Sequence, residues 1–151
     1  NTMRDPEELW AARKALSPLL KEIAPKKINE DVAVPICALP ALLQGLRLLT
    51  SHYQLYNINF GHAGNGNIHV NLLVNPDHPA EMQRAEACLS EIFDLVLSLQ
   101  GTLSGEHGVG QEKRAFVSRE IDAPTLQLMR QIKQTFDPLH LLNRAKVLPD
   151  A

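Results

Sequence analysis

The stretch from Phe60 to Val74, FGHAGNGNIHVNLLV, constrains this chain more than any other. At its centre Asn65-Gly66 is the strongest short signal for a two-residue hairpin turn, because both residues tolerate positive φ. Counting outward from that turn, Gly64 faces Asn67, Ala63 faces Ile68 and His62 faces His69. Directly opposed residues on antiparallel strands share a face, with Cβ atoms roughly 4.5–5.5 Å apart. Two imidazoles at that separation can converge on one metal ion. The plainer alternative is a turn whose flanking histidines have no joint role.

The chain has 151 residues, the size of one domain that can bury a core without disulfide or metal staples. A hydrophobic content of 44% with 21% charged residues is what a soluble globular protein is expected to have. The net charge of −2 advertises no basic face, so nucleic acid is not expected as a partner. Cys37 and Cys88 are too isolated for a disulfide framework or a zinc ribbon, and both are expected as reduced core residues. No apolar run is long enough to span a bilayer, and no signal peptide opens the chain. A cytoplasmic placement is expected, with peripheral attachment at the inner membrane as the alternative. Asn1-Thr2-Met3 does not read as a native N-terminus, and the chain is expected to be a fragment of something longer.

Along the chain, Asp5-Pro6-Glu7-Glu8 starts a helix: a capping acid, a proline in the first turn, then acids at the positive end of the dipole. Leu9, Ala12, Leu16, Leu20 and Ile23 recur at helical spacing, and Pro18 is expected to kink or interrupt them. Arg13 lies beside this stripe and, taken alone, reads as a solvated surface arginine. Residues 28–34 alternate as a strand that Pro35 ends. Leu39, Leu42, Leu43, Leu46 and Leu49 form the stripe of a helix to His52. Hairpin strands at 54–62 and 67–75 follow. Asn75-Pro76-Asp77 is a turn with Asp77 as the expected cap of a helix over 80–99, whose core face is Met82, Ala85, Leu89, Ile92, Phe93 and Val96. Thr102-Leu103-Ser104 reads as an edge strand. Past Gly110, Asp122 caps a last helix with the stripe Leu126, Met129, Ile132 and Phe136.

The order strand, helix, strand, strand, helix, strand predicts an α+β fold. Its expected form is a ferredoxin-like, split βαβ antiparallel sheet with helices on one face and extra C-terminal helices. Apolar residues on both faces of the hairpin imply that the second face is covered as well.

Residues 101–110, GTLSGEHGVG, carry four glycines that permit sharp backbone paths and close approach by a ligand. The stretch lacks the GK[ST] ending of a phosphate loop, and no strand and helix flank a GxGxxG. Glu106 beside His107 suits metal ligation or proton transfer.

Together, GHAGNGNIH, GTLSGEHGVGQEK and FDPLHLLNRAK resemble, in that order, the hallmarks of the C-terminal domain of FAD-linked 2-hydroxy-acid dehydrogenases: GHxGDGNxH, SGEHGxG and FDPxxxLNPGK. That family includes D-lactate dehydrogenase, the glycolate oxidase FAD subunit and D-2-hydroxyglutarate dehydrogenase. The resemblance runs from the Trp10-to-Arg13 helix through Lys146. Two positions depart from it: Asn65 stands where the family has Asp, and Asn143-Arg144-Ala145-Lys146 replaces Asn-Pro-Gly-Lys.

The resemblance implies roles residue by residue. His62, His69 and Glu106 would hold a divalent ion, zinc in the zinc-dependent members. His107 would be the general base. Arg13 would grip the substrate carboxylate, and Asn71 would help hold the substrate, with Ser17 and Lys27 as further candidates for that pocket. The family's tail packs against the FAD domain near the cofactor, which makes Asn143 a cofactor-side candidate. The implied partners are a small D-2-hydroxy acid, an N-terminal FAD-binding domain outside this chain and an electron acceptor that the sequence does not identify. The surface around the histidines is expected to be open and prone to self-association as a homo-oligomer. The competing reading is a non-catalytic, ferredoxin-like metal-binding or regulatory module.

Overall fold

The structure, a computed structural model, describes residues 5–150 apart from the side chains of Pro6, Leu16, Ser17 and Lys21. The first helix, α1 (Pro6–Ile23), begins as its sequence predicts: the Asp5 carboxylate accepts the Glu7 N–H at 3.0 Å. The expected interruption at Pro18 does not occur, and the helix is continuous through it. Pro18 and Lys14 are both exposed, so the carbonyl that proline leaves without a helical donor can be solvated instead.

Three strands, β1 (Lys26–Ala33), β2 (Tyr56–His62) and β3 (Asn67–Val74), form one antiparallel sheet in the order β1-β3-β2. The central strand β3 is buried along its whole length. Side chains alternate between the two faces, which divides the sheet by chemistry. One face carries Val32, Ile68, Val70 and Leu72. It packs under α2 (Leu39–His52) and α3 (Pro79–Ser98) through Leu42, Leu46, Cys88, Ile92, Phe93 and Val96. Phe93 is fully buried and meets the Phe116 ring edge-on at 4.6 Å, so truncation to alanine would cost about 3–5 kcal/mol. The other face carries Asp31, Asn67, His69, Asn71, Phe60 and His62, and it is the polar face. Helix α1 touches β1 and sets the Arg13 guanidinium 5.4 Å from the Phe60 ring centre, so the expected second cover is present in part.

Several expectations are corrected. Among the described residues the sheet has three strands, not four. Residues 102–104 make only an isolated bridge, Thr102 with Ala33, closed by hydrogen bonds of 2.8 and 3.2 Å. Leu103 then turns into the core, and its N–H donates to a Glu120 carboxylate oxygen at 2.9 Å instead of continuing a ladder. The α+β class holds with this smaller open sheet. His78, not Asp77, stands at the N-cap position of α3 and makes no side-chain capping hydrogen bond, while Asp77 belongs to the preceding turn and donates its N–H to Asn75 Oδ1. Cys88 is buried as expected, but Cys37 is exposed in the short turn Ile36–Ala38.

After the one-turn helix α4 (Val117–Glu120), the last helix α5 (Ala123–Phe136) starts on Asp122, which accepts the Thr125 N–H at 2.9 Å. Of its predicted stripe only Leu126 is buried. Ile132 and Phe136 face solvent, Phe136 at 82% exposure.

Candidate functional site

The hairpin closes differently from the two-residue expectation. A short 3-10 turn, Ala63–Asn65, ends on Gly66 at φ +78°, and the first pair beyond it is His62 with Asn67. Asn65 still supports the turn, accepting the Asn67 N–H at 3.4 Å. Gly66 is also drawn against β1: its carbonyl accepts the Val34 N–H at 3.1 Å, and a Cβ there would lie 1.9 Å from the Val34 oxygen. The longer loop shifts the expected pairing by two residues. A shift of two leaves every side chain on its face. His62 and His69 therefore remain neighbours, now on the diagonal, with ring centroids 5.6 Å apart. His69 itself pairs with Phe60 on one side and with Asp31 on the other.

The glycine-rich loop brings its two chemical residues onto this face. Glu106 Oε1 lies 3.0 Å from His69 Nε2 and 3.4 Å from His62 Nε2. One ligand atom from each of these three residues falls within 4.8 Å of the other two. Two imidazole nitrogens and a carboxylate oxygen so placed are a donor set that fits a divalent ion and leaves further positions open. His107 stacks on the His69 ring at 5.2 Å, with its Nε2 4.0 Å from Glu106 Oε1 and its Nδ1 3.5 Å from Asp31 Oδ1. His69 is buried, whereas His62, Glu106 and His107 are each nearly half exposed. Burial pushes the His69 imidazole below its ordinary value, and His107 and His62 push the same way against the pull of Glu106. The shift favours the neutral form that ligation requires.

The remaining predicted residues are placed unequally. Asn71 is fully buried, one alternation along β3 from His69. Its Nδ2 donates to the carbonyls of Ile58 at 2.9 Å and His69 at 3.2 Å. Its Oδ1, like Asn67 Oδ1 and His69 Nδ1, is buried with no partner among the described residues. Such atoms usually have one; these three share the face of the donor set, while Asn57 Oδ1 and Asn59 Oδ1 on the opposite face are likewise unpartnered. Arg13 reaches the same neighbourhood over Phe60, whose ring is 5.7 Å from that of His69. Lys27 is half-buried and shares the polar face, but it sits opposite Leu73 and lies roughly 13 Å along β1 from Asp31. The side chain of Ser17 lies outside the described residues. Asn143, with Arg114, Arg130, Lys133 and Lys146, lines a cavity of about 920 Å³ between α5 and the C-terminal tail, to which His62, His69 and His107 contribute no lining.

Sequence reasoning missed Asp31 and Lys113. Asp31 is completely buried, and its Oδ2 accepts the N–H groups of Glu106 and, at 3.0 Å, His107. The Lys113 ammonium donates to Asp31 Oδ1 at 2.6 Å, to the Asp31 carbonyl at 2.7 Å and to the Leu103 carbonyl at 2.7 Å, with Glu30 Oε2 3.4 Å away. Burial alone would raise the Asp31 carboxyl. The hydrogen bonds from Lys113, Glu106 and His107 outweigh it and hold the group well below the usual carboxylate range. The available signal was an acid in mid-strand, on the same face as the histidines.

The structure is an α+β domain with a guanidinium, three imidazoles and a carboxylate gathered on one sheet face, a set of groups whose chemistry suits a cation or a small anion. The chain belongs to the FAD linked oxidases, C-terminal domain family, whose model matches residues 1–147. Glycolate oxidase subunit GlcD of Escherichia coli (strain K12) is 36% identical over 140 residues, 93% of this chain and 28% of that protein. A D-2-hydroxyglutarate dehydrogenase of Xanthomonas citri pv. viticola is 36% identical over 145 residues, 93% of this chain and 30% of its own length. A probable mitochondrial D-lactate dehydrogenase of Danio rerio is 31% identical over 141 residues, 93% of this chain and 27% of its own length. The chain thus spans less than a third of each of these relatives.

Proposed function

We propose that this chain is the substrate- and metal-holding C-terminal domain of an FAD-dependent oxidoreductase that oxidises a D-2-hydroxy acid, of the lactate, glycolate or 2-hydroxyglutarate type, to the 2-oxo acid. The observation that carries the reading is the convergence of His62, His69 and Glu106 within 4.8 Å, with His107 stacked against the pair. A zinc-type ion bound there would polarise the substrate hydroxyl and lower its pKa. Flavin, held by another part of the whole protein, would supply the hydride acceptor.

The chain's own groups do the rest. Arg13 offers a planar fork to the substrate carboxylate, and the Phe60 ring beneath it keeps the guanidinium in place. Asn71, its amide nitrogen already committed to two carbonyls, offers Oδ1 as an acceptor toward the substrate. His107 Nδ1 lies 3.5 Å from Asp31 Oδ1; with its proton held on that nitrogen, Nε2 would keep the lone pair that takes the hydroxyl proton, and the Asp31 carboxylate would face the imidazolium so formed. Asn143, by contrast, serves the cofactor side if the tail packs there. No helix among the described residues is long and apolar enough to cross a membrane, and a cytoplasmic placement is part of this reading.

The test is the full-length parent protein assayed against a panel of D-2-hydroxy acids, wild type beside His107→Ala. Turnover on one class of acid is expected, with the variant slower by roughly 10²–10⁴-fold, the usual worth of a positioned base. Metal content should stay near normal. Equal loss of metal and turnover would make His107 a ligand and exchange its role with that of Glu106. No turnover on any acid would remove the activity itself.

A further inference from the structure

We propose that Asp31 is the positioning residue of this site: held by Lys113, its carboxylate clasps the 104–108 loop and so fixes where Glu106 and His107 stand against the two strand histidines. The inference rests on the metal-site reading above for its consequence, but its geometry is independent of that reading. Asp31 lies opposite His69 in the β1–β3 register, so its side chain rises from the same face. Each carboxylate oxygen has its own task. Oδ2 accepts the backbone N–H groups of Glu106 and His107, the two residues whose side chains do the chemistry. Oδ1 accepts the Lys113 ammonium. The Ser104 hydroxyl lies 3.4–3.5 Å from both oxygens and accepts the Gly108 N–H at 2.8 Å, which ties the far end of the loop to the same point.

The loop has no helix or strand of its own to hold it, and it is exposed from 105 to 108. Its order therefore depends on this buried acceptor. An amide at position 31 cannot replace the carboxylate. It presents one acceptor and one donor where two acceptors are needed, so either the loop N–H groups or Lys113 would face an N–H. Lys113 closes the motif GTLSGEHGVGQEK, and burial against Asp31 gives that lysine a task no ligand set requires.

The experiment compares Asp31→Asn with Glu30→Gln in the full-length protein. Glu30→Gln disturbs the same Lys113 charge from the other face of β1 without touching the loop. Two readouts are taken: hydrogen exchange of peptides spanning 104–108 in metal-free protein, and affinity for Zn²⁺ alone. Asp31→Asn is expected to speed exchange in 104–108 about tenfold or more while β3 stays protected, and to weaken Zn²⁺ by roughly 10–100-fold, the usual cost of losing a partner that orients ligands. Glu30→Gln should leave both near wild type. If Asp31→Asn does not fold, Asp31→Asn with Lys113→Met removes the charge pair together and should show the same fast exchange. Unchanged exchange at 104–108 in the Asp31 variants overturns the inference, as does an equal effect from Glu30→Gln. If the wild type takes up no Zn²⁺, the metal reading fails, and the exchange data still decide whether Asp31 holds the loop.

Discussion

His62 and His69 stand on a diagonal across the β2–β3 hairpin, each opposite a different residue, with their ring centroids 5.6 Å apart. The diagonal comes from the loop Ala63–Gly66 and not from a tight two-residue turn. It puts one imidazole in the buried centre of the sheet and the other at its exposed end.

That arrangement predicts about one zinc-type ion per chain, measurable by elemental analysis of the purified protein. His62→Ala and His69→Ala should each weaken affinity by at least the 10–100-fold that losing a supporting partner alone costs. Unchanged metal content in both variants would dissolve the assignment.

Gly105→Ala is expected to disable the site without unfolding the hairpin. A Cβ there would lie 1.8 Å from Asn67 Nδ2 and 3.3 Å from Asp31 Oδ2, so either the loop or the buried Asn67 side chain must shift. Zn²⁺ affinity should fall by about tenfold or more, while circular dichroism stays near wild type. Wild-type affinity would mean that the loop does not need to pass so close to β3.

A pH dependence is expected in the tail. Asp137 is buried, pairs with Lys133 and accepts the N–H groups of Leu141 and Leu142 at 2.8 and 3.0 Å. Lys133, with these N–H groups, holds its carboxyl down at about 2. A depressed carboxylate adds stability above its unfolded value, near pH 4, and loses it as pH falls toward 2. Protection of the tail amides, exchange measured relative to the unprotected rate at the same pH, should therefore fall over that window in wild type. In Asp137→Asn that protection should already be low at neutral pH and flat below it. A wild-type profile without that fall would show that Asp137 does not anchor the tail.

The two cysteines should separate in a thiol-labelling assay. Burial pushes the Cys88 thiol up to about 11, whereas Cys37 is exposed. Below pH 9 one thiol per native chain should react quickly and the second only on unfolding. Two fast thiols would contradict the packing of α3.

Much of the site was legible because its signals are local. Asn65-Gly66 marks a turn, and alternation marks the faces. The error in loop length was harmless because a shift of two preserves which face a side chain takes. Glu106 and His107 stood out because glycines isolate them. Asp31 did not stand out, since its partners are backbone N–H groups and a lysine 75 to 82 residues away, which no periodicity reports. The spacing of Leu126, Met129, Ile132 and Phe136 marks one face of α5. Its burial was not readable, because spacing says which residues share a face and not whether anything covers it. The fourth strand failed for a similar reason: Leu103 looks like a strand residue, but its N–H belongs to Glu120.

The clasp between Asp31 and the 104–108 loop also divides the site in time. The imidazole pair spans seven residues and one turn, and a hairpin closes in about 1–10 μs. The carboxylate arrives only when a contact 75 residues apart has closed, which carries a larger entropic cost. A metal ion present during refolding would therefore meet two nitrogens first and its oxygen ligand last. The selectivity of capture would be set by the imidazoles, before the completed cage exists.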